Sequence, residues 1–294
     1  SGVSQTMSRF RGWIQAGAAL LTNLHLPNFL KGGLYQGAGK TVCVPGLNCY
    51  SCPAASGACP IGAFQAVVGS SKFSFSYYIT GFLILLGVLL GRFICGFLCP
   101  FGWFQELLHK IPTKKLSTKK LKPLTYLKYA VLLVMVFLLP AFLVNDVGMG
   151  DPFFCKYLCP QGVLEGALPL AAVNSGIRAA LGALFTWKAA VLLTVIVCSV
   201  LFYRPFCKWL CPLGAFYALL NRVSLFRMQV DTHKCVSCGA CAKACKMDVD
   251  ITKNPDHAEC IRCGMCIKAC PTGAICYRYG LGDKTQTTDK GETI

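Results

Sequence analysis

The chain has 294 residues, of which 54% are hydrophobic and only 14% are charged. Soluble domains usually carry about 25% charged residues, so this composition excludes an ordinary soluble domain and predicts a membrane protein with a small soluble part. The formal net charge is +17. Because the sequence carries no nucleic-acid-binding motif, we attribute this charge to membrane topology rather than to a nucleic-acid partner.

Four apolar stretches are candidates for helices that cross a membrane. Each approaches the ~20 residues needed to cross about 30 Å of hydrocarbon, although His25 interrupts the first. The stretches are residues 9–30, Tyr77–Phe93, Tyr126–Val144 and Leu184–Tyr203. The segment Ala167–Ala183 is apolar but is broken by Pro169 and Asn174, which predicts an interfacial or re-entrant helix.

The Lys and Arg residues of the short loops predict the orientation of these spans. The connection from Arg92 to Lys122 carries seven basic residues, whereas residues 145–183 carry two. The first of these loops is therefore predicted to be cytoplasmic and the second external. Alternation then places residues 31–72 outside and everything after Arg204 inside. We predict a multi-pass protein of the cytoplasmic membrane whose C-terminal part is cytoplasmic.

Four cysteine pairs that end in Cys-Pro punctuate the apolar region, and each is followed by x-Gly. The pairs are Cys52-x6-Cys59-Pro60, Cys95-x3-Cys99-Pro100, Cys155-x3-Cys159-Pro160 and Cys207-x3-Cys211-Pro212. Their similar flanks and order indicate an internal duplication. Proline fixes the turn after each second cysteine, and glycine lets the backbone approach closely where the next helix begins.

The paired cysteines predict two metal clusters. Each pair offers two thiolates, whereas a cubane needs four, so two pairs must meet. The predicted topology groups Cys95, Cys99, Cys207 and Cys211 at the cytoplasmic face, and Cys52, Cys59, Cys155 and Cys159 at the external face, with Cys49 as a substitute external ligand. We predict one [4Fe–4S] cluster in each group. The alternative is disulfides or free thiols, which the external compartment tolerates better than the cytoplasm.

This arrangement raises a distance problem and leaves some cysteines without a role. Clusters at opposite faces of a core about 30 Å thick would be too far apart for one easy electron transfer. Either the Cys-Pro turns dip into the bilayer, surrounded by protein, or another carrier lies between them. Spacing assigns no ligand role to Cys43, Cys198 or Cys276, and Cys43 with Cys49 could form a disulfide.

The C-terminal part contains two copies of the pattern C-x2-C-x2-C-x3-C, at residues 235–245 and 260–270. Three thiolates at this spacing bind one cubane, and the fourth ligates the other cluster. One predicted [4Fe–4S] cluster is held by Cys235, Cys238, Cys241 and Cys270, and the other by Cys260, Cys263, Cys266 and Cys245. A pair of zinc knuckles is the alternative, but zinc sites usually use two C-x2-C pairs. Lys246 stands where the first run would have its proline.

On these motifs the sequence resembles the membrane-bound polyferredoxins of the NapH/MauN type, which are related to the C-terminal part of NosR. The resemblance extends from Arg11 to Ala274 and rests on the sites Cys95–Pro100 and Cys207–Pro212 and on the double run. It implies electron transfer from quinol or a cytoplasmic donor to an extracytoplasmic redox partner. The additional external cysteines depart from the quinol-oxidising members and resemble a variant of anaerobic bacteria. This departure favours an iron–sulfur path through the membrane to a flavin-binding partner outside.

The sequence therefore predicts a mainly α-helical protein. Residues 1–223 are predicted to form polytopic membrane helices with an internal duplication, residues 224–280 a cytoplasmic α+β ferredoxin domain, and residues 281–294 a polar tail. The predicted function is electron transfer through four [4Fe–4S] clusters, between redox partner proteins on both membrane faces and within a membrane complex. We expect an electron-transfer subunit without its own substrate site. Two alternatives stay open: a redox sensor or assembly factor for a partner metalloenzyme, and a quinol dehydrogenase subunit.

Overall fold

The structure is a computed structural model that describes residues 2–70, 76–146 and 148–280. The predicted polar tail at 281–294 lies outside the described residues. The described chain is mainly helical, as the sequence predicts. Its α-helices are Gly2–Arg9, Arg11–Thr22, Asn28–Lys31, Pro60–Gly69, Tyr77–Leu90, Phe93–Phe97, Pro100–His109, Leu127–Val131, Leu139–Phe142, Leu168–Val173, Ser175–Ala179, Ala183–Leu201, Pro205–Trp209, Pro212–Leu220, Ala240–Ala244 and Met265–Ala269. Wider π-helical turns form Leu132–Leu138, Phe154–Leu158 and Gly162–Ala167, and 3-10 turns form Ala38–Thr41 and Lys119–Tyr126.

Two continuous helical segments are long and apolar enough to cross a membrane. They are Leu121–Phe142, with 22 residues, and Ala183–Leu201, with 19 residues. They match the third and fourth spans predicted from the sequence. The helix Tyr77–Leu90 has 14 residues and is therefore about 21 Å long, while the first predicted span gives the 12-residue helix Arg11–Thr22. Within the described residues, two of the four predicted spans thus reach full length.

The segment predicted to be interfacial is broken at Asn174 but not at Pro169, because the turns Gly162–Ala167 run on into the helix Leu168–Val173 with Pro169 in its first turn. The helix Leu168–Val173 ends before Asn174, and the short helix Ser175–Ala179 follows it. The Asn174 side-chain oxygen accepts hydrogen bonds from the backbone N–H groups of Gly176, at 3.0 Å, and Ile177, at 3.3 Å. This is N-capping, which satisfies donors that the first turn of a helix leaves free.

Each Cys-Pro step is the start of a helix. Pro60, Pro100 and Pro212 occupy the first helical position, where proline loses no helical hydrogen bond and its fixed φ suits the helix. The preceding cysteines Cys59 and Cys99 have extended backbone. A cysteine at this position caps the helix that follows: the Cys211 sulfur accepts from the Gly214 N–H at 3.3 Å.

The C-terminal part contains a small antiparallel sheet and the two short helices of the double cysteine run. Strand Phe226–Val230 pairs with Ile275–Tyr279, with Met228 opposite Tyr277. The N-terminal helix Gly2–Arg9 packs against this part: the Ser8 hydroxyl donates to the Gly264 carbonyl at 2.9 Å, and the Ser4 hydroxyl accepts from the Tyr277 N–H at 3.1 Å.

A buried ion-pair network joins the C-terminal part to the apolar part. Glu259, between the two cysteine runs, pairs with Arg92 at 2.8 Å and with Lys128 at 2.5 Å. Both cationic side chains are 0% exposed. Burial alone would raise the pKa of Glu259, but the charges of Arg92 and Lys128 prevail and hold it at about 2. The two parts therefore share a continuous interface rather than a flexible linker.

Candidate metal centres

The first group of cysteines lies within two short helices and at the turns that follow them. Cys95 is in Phe93–Phe97 and Cys207 in Pro205–Trp209, while Cys99 and Cys211 begin the next helices. Their exposed fractions are between 5% and 8%. Burial raises the pKa of the Cys99 thiol to about 12, and the nearby Cys207 and Cys95 act in the same direction. Cys211 is within electrostatic range of the other three. The structure thus brings together all four cysteines predicted for this centre, which we call the Cys95 centre.

Hydrogen-bond donors surround the sulfur atoms of the Cys95 centre. The Gln105 amide nitrogen donates to Cys207 Sγ at 3.1 Å, while the amide oxygen of the same side chain accepts from the Phe206 N–H at 3.2 Å. The Gly214 N–H donates to Cys211 Sγ at 3.3 Å. Donors aimed at sulfur favour its thiolate form, which is the form that ligates metal.

Two fully buried arginines cross between the halves of the Cys95 centre. Arg204 donates to the carbonyl of Cys95, and Arg92 donates to the carbonyl of Cys207 at 3.4 Å. Each arginine stands three residues before the cysteine of its own half and binds the cysteine of the other half. Arg204 adopts φ 50°, a left-handed conformation that is uncommon for a side chain of this size. This exchange of contacts is what a pseudo-twofold relation between two similar halves would produce at the Cys95 centre.

A second centre repeats this arrangement around Cys155. The Gln65 amide nitrogen donates to Cys155 Sγ at 3.2 Å, and its oxygen accepts from the Phe154 N–H at 3.0 Å. Gln65 therefore does for Cys155 what Gln105 does for Cys207. Cys59 and Cys159 are buried, with 8% and 7% exposure. Both lie within electrostatic range of Cys155 and of Cys49. We call Cys49, Cys59, Cys155 and Cys159 the Cys155 centre.

The fourth cysteine of the Cys155 centre is Cys49, the substitute considered from the sequence. A Cβ atom added at Gly162 would lie 3.7 Å from Cys49 Sγ, and one added at Gly62 would lie 3.9 Å from Cys155 Sγ, so the two cysteines occupy equivalent places. Glu165 accepts from the Cys49 N–H at 3.2 Å. Cys52 instead packs with two alanines and points its sulfur at Asn23 Oδ1, 3.6 Å away.

Two lysines lie beside the Cys155 centre, and one of them makes the contact that the arginines make in the first centre. Lys188 donates to the Cys155 carbonyl at 3.0 Å. Lys40 donates to the Tyr50 carbonyl and, at 3.4 Å, to the Cys52 carbonyl. Each centre is thus flanked by two cations, which suits a cluster of four thiolates with net negative charge. Cys43 lines a cavity whose walls also include the four cysteines of the Cys155 centre. Cys198 lies in the helix Ala183–Leu201 and Cys276 in the strand Ile275–Tyr279.

The C-terminal cysteines group as the spacing predicts. Burial raises the pKa of Cys260 to about 12, and the nearby Cys263 and Cys245 act in the same direction. Cys266 is also in range of these three. Cys245, from the first run, therefore joins the cysteines of the second run. In the other group, Cys235 and Cys241 are within electrostatic range of each other, Cys235 and Cys270 pack on the core that contains Cys241, and Cys238 is exposed.

The number and kind of donors in these sets suit iron–sulfur clusters. Among the described residues, no three or more His, Cys, Asp or Glu side chains converge closely enough to hold one ion. Buried thiols normally stay protonated, whereas a bound metal deprotonates them. Sets of four cysteines with cations and N–H donors around them are therefore the donor sets that [4Fe–4S] clusters require.

The fold and these cysteine sets define an iron–sulfur protein, and comparison with known proteins agrees. A family model described as a 4Fe-4S binding domain matches residues 57–77, 74–119, 128–168 and 184–230, and a second one of the same description matches 228–249 and 254–276. An uncharacterized protein of Methanocaldococcus jannaschii is 30% identical over 68% of this chain and 77% of its own. No solved structure matches the chain.

Two further relatives carry functional names. The Escherichia coli protein YccM, named for electron transport, is 25% identical over 58% of this chain and 45% of its own. MauN of Paracoccus denitrificans, a ferredoxin-type protein of methylamine utilization, is 29% identical over 63% of this chain and 56% of its own. The chain therefore spans about half the length of these two named relatives. It belongs to the 4Fe-4S binding polyferredoxins of the NapH/MauN/NosR type.

The sequence reasoning did not single out the residues around the sulfur atoms. Gln65 and Gln105 occupy the same place in the repeated pattern Cys-Pro-x-Gly-x-Phe-Gln, at residues 59–65 and 99–105. Arg92 and Arg204 both stand in the pattern Arg-x-x-Cys. Aligning the repeats beyond the cysteines and glycines would have revealed these positions.

Proposed function

We propose that this chain is an integral membrane protein that carries electrons through four [4Fe–4S] clusters. Two clusters are bound by the Cys95 and Cys155 centres. The other two are a distal cluster on Cys235, Cys238, Cys241 and Cys270, and a proximal cluster on Cys245, Cys260, Cys263 and Cys266. The family membership supports iron–sulfur electron transfer. The number of clusters, their ligands and the path between them are our proposal.

Electrons would enter at the distal cluster and pass to the proximal one. Cys238 is exposed, so a redox partner can approach the distal cluster. The proximal cluster faces the apolar part instead. Arg262, beside its ligands, donates to the Leu90 carbonyl at 2.9 Å and to the Asn221 carbonyl at 2.9 Å. The helix that carries Cys95 touches the same loop, because a Cβ atom at Gly96 would meet the Ile261 carbonyl oxygen.

The proximity of the Cys95 and Cys155 centres is the observation that carries this proposal. Tyr217 is fully buried and lies within electrostatic range of Cys95, Cys99 and Cys59. Its hydroxyl donates to the Pro45 carbonyl at 3.0 Å, in the segment that leads to Cys49. A Cβ atom added at Gly46 would lie 2.8 Å from the Cys99 Cα, so the segment before Cys49 packs directly on the Cys95 centre. Of the two solutions to the distance problem, this arrangement supports Cys-Pro turns that dip into the protein interior.

The membrane topology belongs to the same proposal. We propose residues 1–223 as the membrane part, crossed several times, and 224–280 as a cytoplasmic ferredoxin domain. The two candidate spans and the excess of basic residues between Arg92 and Lys122 support it. The acceptor would then be an extracytoplasmic redox partner, with a flavin-binding protein as the candidate. The chain would act as one subunit of a membrane complex.

Reconstitution into liposomes tests the function. A membrane-impermeant reductant is added on the side of the ferredoxin part, and reduction of a flavin trapped inside is followed by absorbance. We expect transfer by the native chain and none by Cys99→Ser, a variant that leaves both C-terminal clusters in place. Transfer by Cys99→Ser, or none by the native chain, would contradict a path through the Cys95 centre. Cluster reduction by added quinol would favour the quinol dehydrogenase alternative.

A further inference from the structure

A cavity of about 800 Å³ lies where the candidate span Leu121–Phe142 meets the C-terminal part. Its walls come from residues 118–129, from the helices around Trp209 and Leu219, and from the loop that carries His257. No cysteine of the four centres lines it. Cavities of 300–1,000 Å³ are the usual size of small-molecule sites, so this one is large enough for a ligand of its own.

The polar wall of the cavity is suited to an anion. Lys122 and Arg222 line it and both act electrostatically on His257. Neither forms a salt bridge within the part of the chain that the structure describes. The cavity's two acidic residues, in contrast, are already neutralised, since Asp248 pairs with Lys208 and Glu259 pairs with two cations.

Trp209 lines the cavity wall, and its side chain is 8% exposed. Its indole N–H is itself buried and finds no acceptor among the described residues, so it does not reach a ligand in the cavity. Lys122 and Arg222 therefore supply the attraction for an anion.

Exposed apolar side chains lie on the cavity wall and next to it in the sequence. Leu219 lines the cavity, and Val223 follows it, while Leu124 and Leu127 belong to the candidate span; all four are between 40% and 60% exposed. Exposed leucines that continue from a cationic cavity along a membrane helix form a track for an acyl chain. Tyr126, 74% exposed, lies between them, as aromatic residues do at the membrane interface.

We propose that this cavity binds the phosphate headgroup of an anionic phospholipid, with its acyl chains along these exposed apolar side chains. The proposal rests on the membrane location stated above. The bound lipid would bridge the span and the loop of the proximal cluster, because both contribute to the cavity. Basic pockets beside membrane helices are known binding sites for anionic headgroups.

The test uses the full chain with its clusters, purified in detergent and stripped of lipid. Native mass spectrometry measures binding of dioleoyl phosphatidylglycerol, dioleoyl phosphatidylcholine and inorganic phosphate. We expect selective binding of phosphatidylglycerol. The double variant K122Q/R222Q should bind it about 30-fold more weakly, because each basic residue near the site contributes to anionic-lipid binding. The matched control K114Q/K119Q, which changes two basic residues outside the cavity, should bind normally.

Three outcomes would overturn the proposal. Equal binding of phosphatidylcholine would remove the requirement for an anion, and displacement of the lipid by millimolar inorganic phosphate would indicate a soluble phosphate site. Unchanged affinity in K122Q/R222Q would place the lipid elsewhere. R222Q alone, which removes one of the two cations without a salt bridge, should also weaken binding and provides a second variant should the double variant lose its iron. Lipid binding is measured without electron transfer, so it can fail while the proposed function holds, and the reverse.

Discussion

The substitution Glu259→Gln tests how the C-terminal part is held on the apolar part. It removes one negative charge and keeps the size of the side chain. Arg92, 2.8 Å away, and Lys128, 2.5 Å away, are 0% exposed and would then lose the one acidic partner that each has among the described residues. Breaking a buried ion pair from one side costs about 3–5 kcal/mol, because the remaining charge stays buried without compensation.

Hydrogen exchange measures this loss of local stability in the loop around Glu259. The Cys260 N–H donates to the His257 carbonyl at 2.9 Å, so its exchange reports opening of the loop around Glu259. A loss of about 3–5 kcal/mol corresponds to exchange that is about a hundred- to a few thousand-fold faster. Mass spectrometry of the peptide around residues 254–262 gives this rate, and iron content confirms that the clusters are retained.

A matched control separates this network from ordinary surface pairs. Asp151 pairs with Lys156 at 2.5 Å, but the two side chains are 40% and 38% exposed. Exposed pairs contribute about 0–1 kcal/mol, so Asp151→Asn should change local exchange by less than about tenfold. If Glu259→Gln exchanged no faster than this control, the reasoning about a buried network that fixes the C-terminal part would be refuted.

Three more predictions concern the centres. Cys49→Ser should lose about four iron atoms per chain, whereas Cys52→Ser should keep all its iron. Iron analysis showing the reverse would favour Cys52, the ligand predicted from the sequence, over Cys49. Gln105→Leu removes the N–H that donates to Cys207 Sγ at 3.1 Å. It should lower the reduction potential of that cluster by tens of millivolts, about 1 kcal/mol, in an EPR-monitored titration, and an unchanged potential would rule the bond out as a tuning contact. Gly96→Ala should slow electron transfer from the proximal cluster, since the added methyl group would push the ferredoxin loop away; stopped-flow rates equal to those of the native chain would contradict this contact.

The spacing of the cysteines predicted [4Fe–4S] binding because most ligands of one cluster lie close together in the sequence. The grouping of Cys245 with the second run follows from spacing alone, and so does the meeting of Cys95 with Cys207 once the repeat is recognised. The choice between Cys49 and Cys52 did not follow, because the equivalent of Cys155 depends on how the loop before Pro60 folds back. The position of Cys49 depends on its contacts with Glu165 and Gly162, which are more than 100 residues away in sequence.

Hydropathy also did not predict the helix lengths or the closeness of the centres, because both depend on packing between residues that are distant in sequence. The stretch Tyr77–Phe93 has no charged residue before Arg92, yet its helix ends at Leu90, and Gly91 then adopts φ 56°. A window of apolar residues measures composition, not helix length, so it predicted four candidate spans where the described residues contain two helices long enough to cross a membrane. The closeness of the Cys95 and Cys155 centres likewise depends on Tyr217 and on the segment at Pro45, which no motif marks.

Counting the clusters tests the central claim most directly. A cryo-EM map of the chain purified without oxygen should show four cubanes, bound by the two C-terminal sets and by the Cys95 and Cys155 centres. Chemical analysis should give about 16 iron atoms per chain, four for each cubane. A map with cubanes only between residues 235 and 270, and about eight iron atoms per chain, would contradict an electron path through the apolar part.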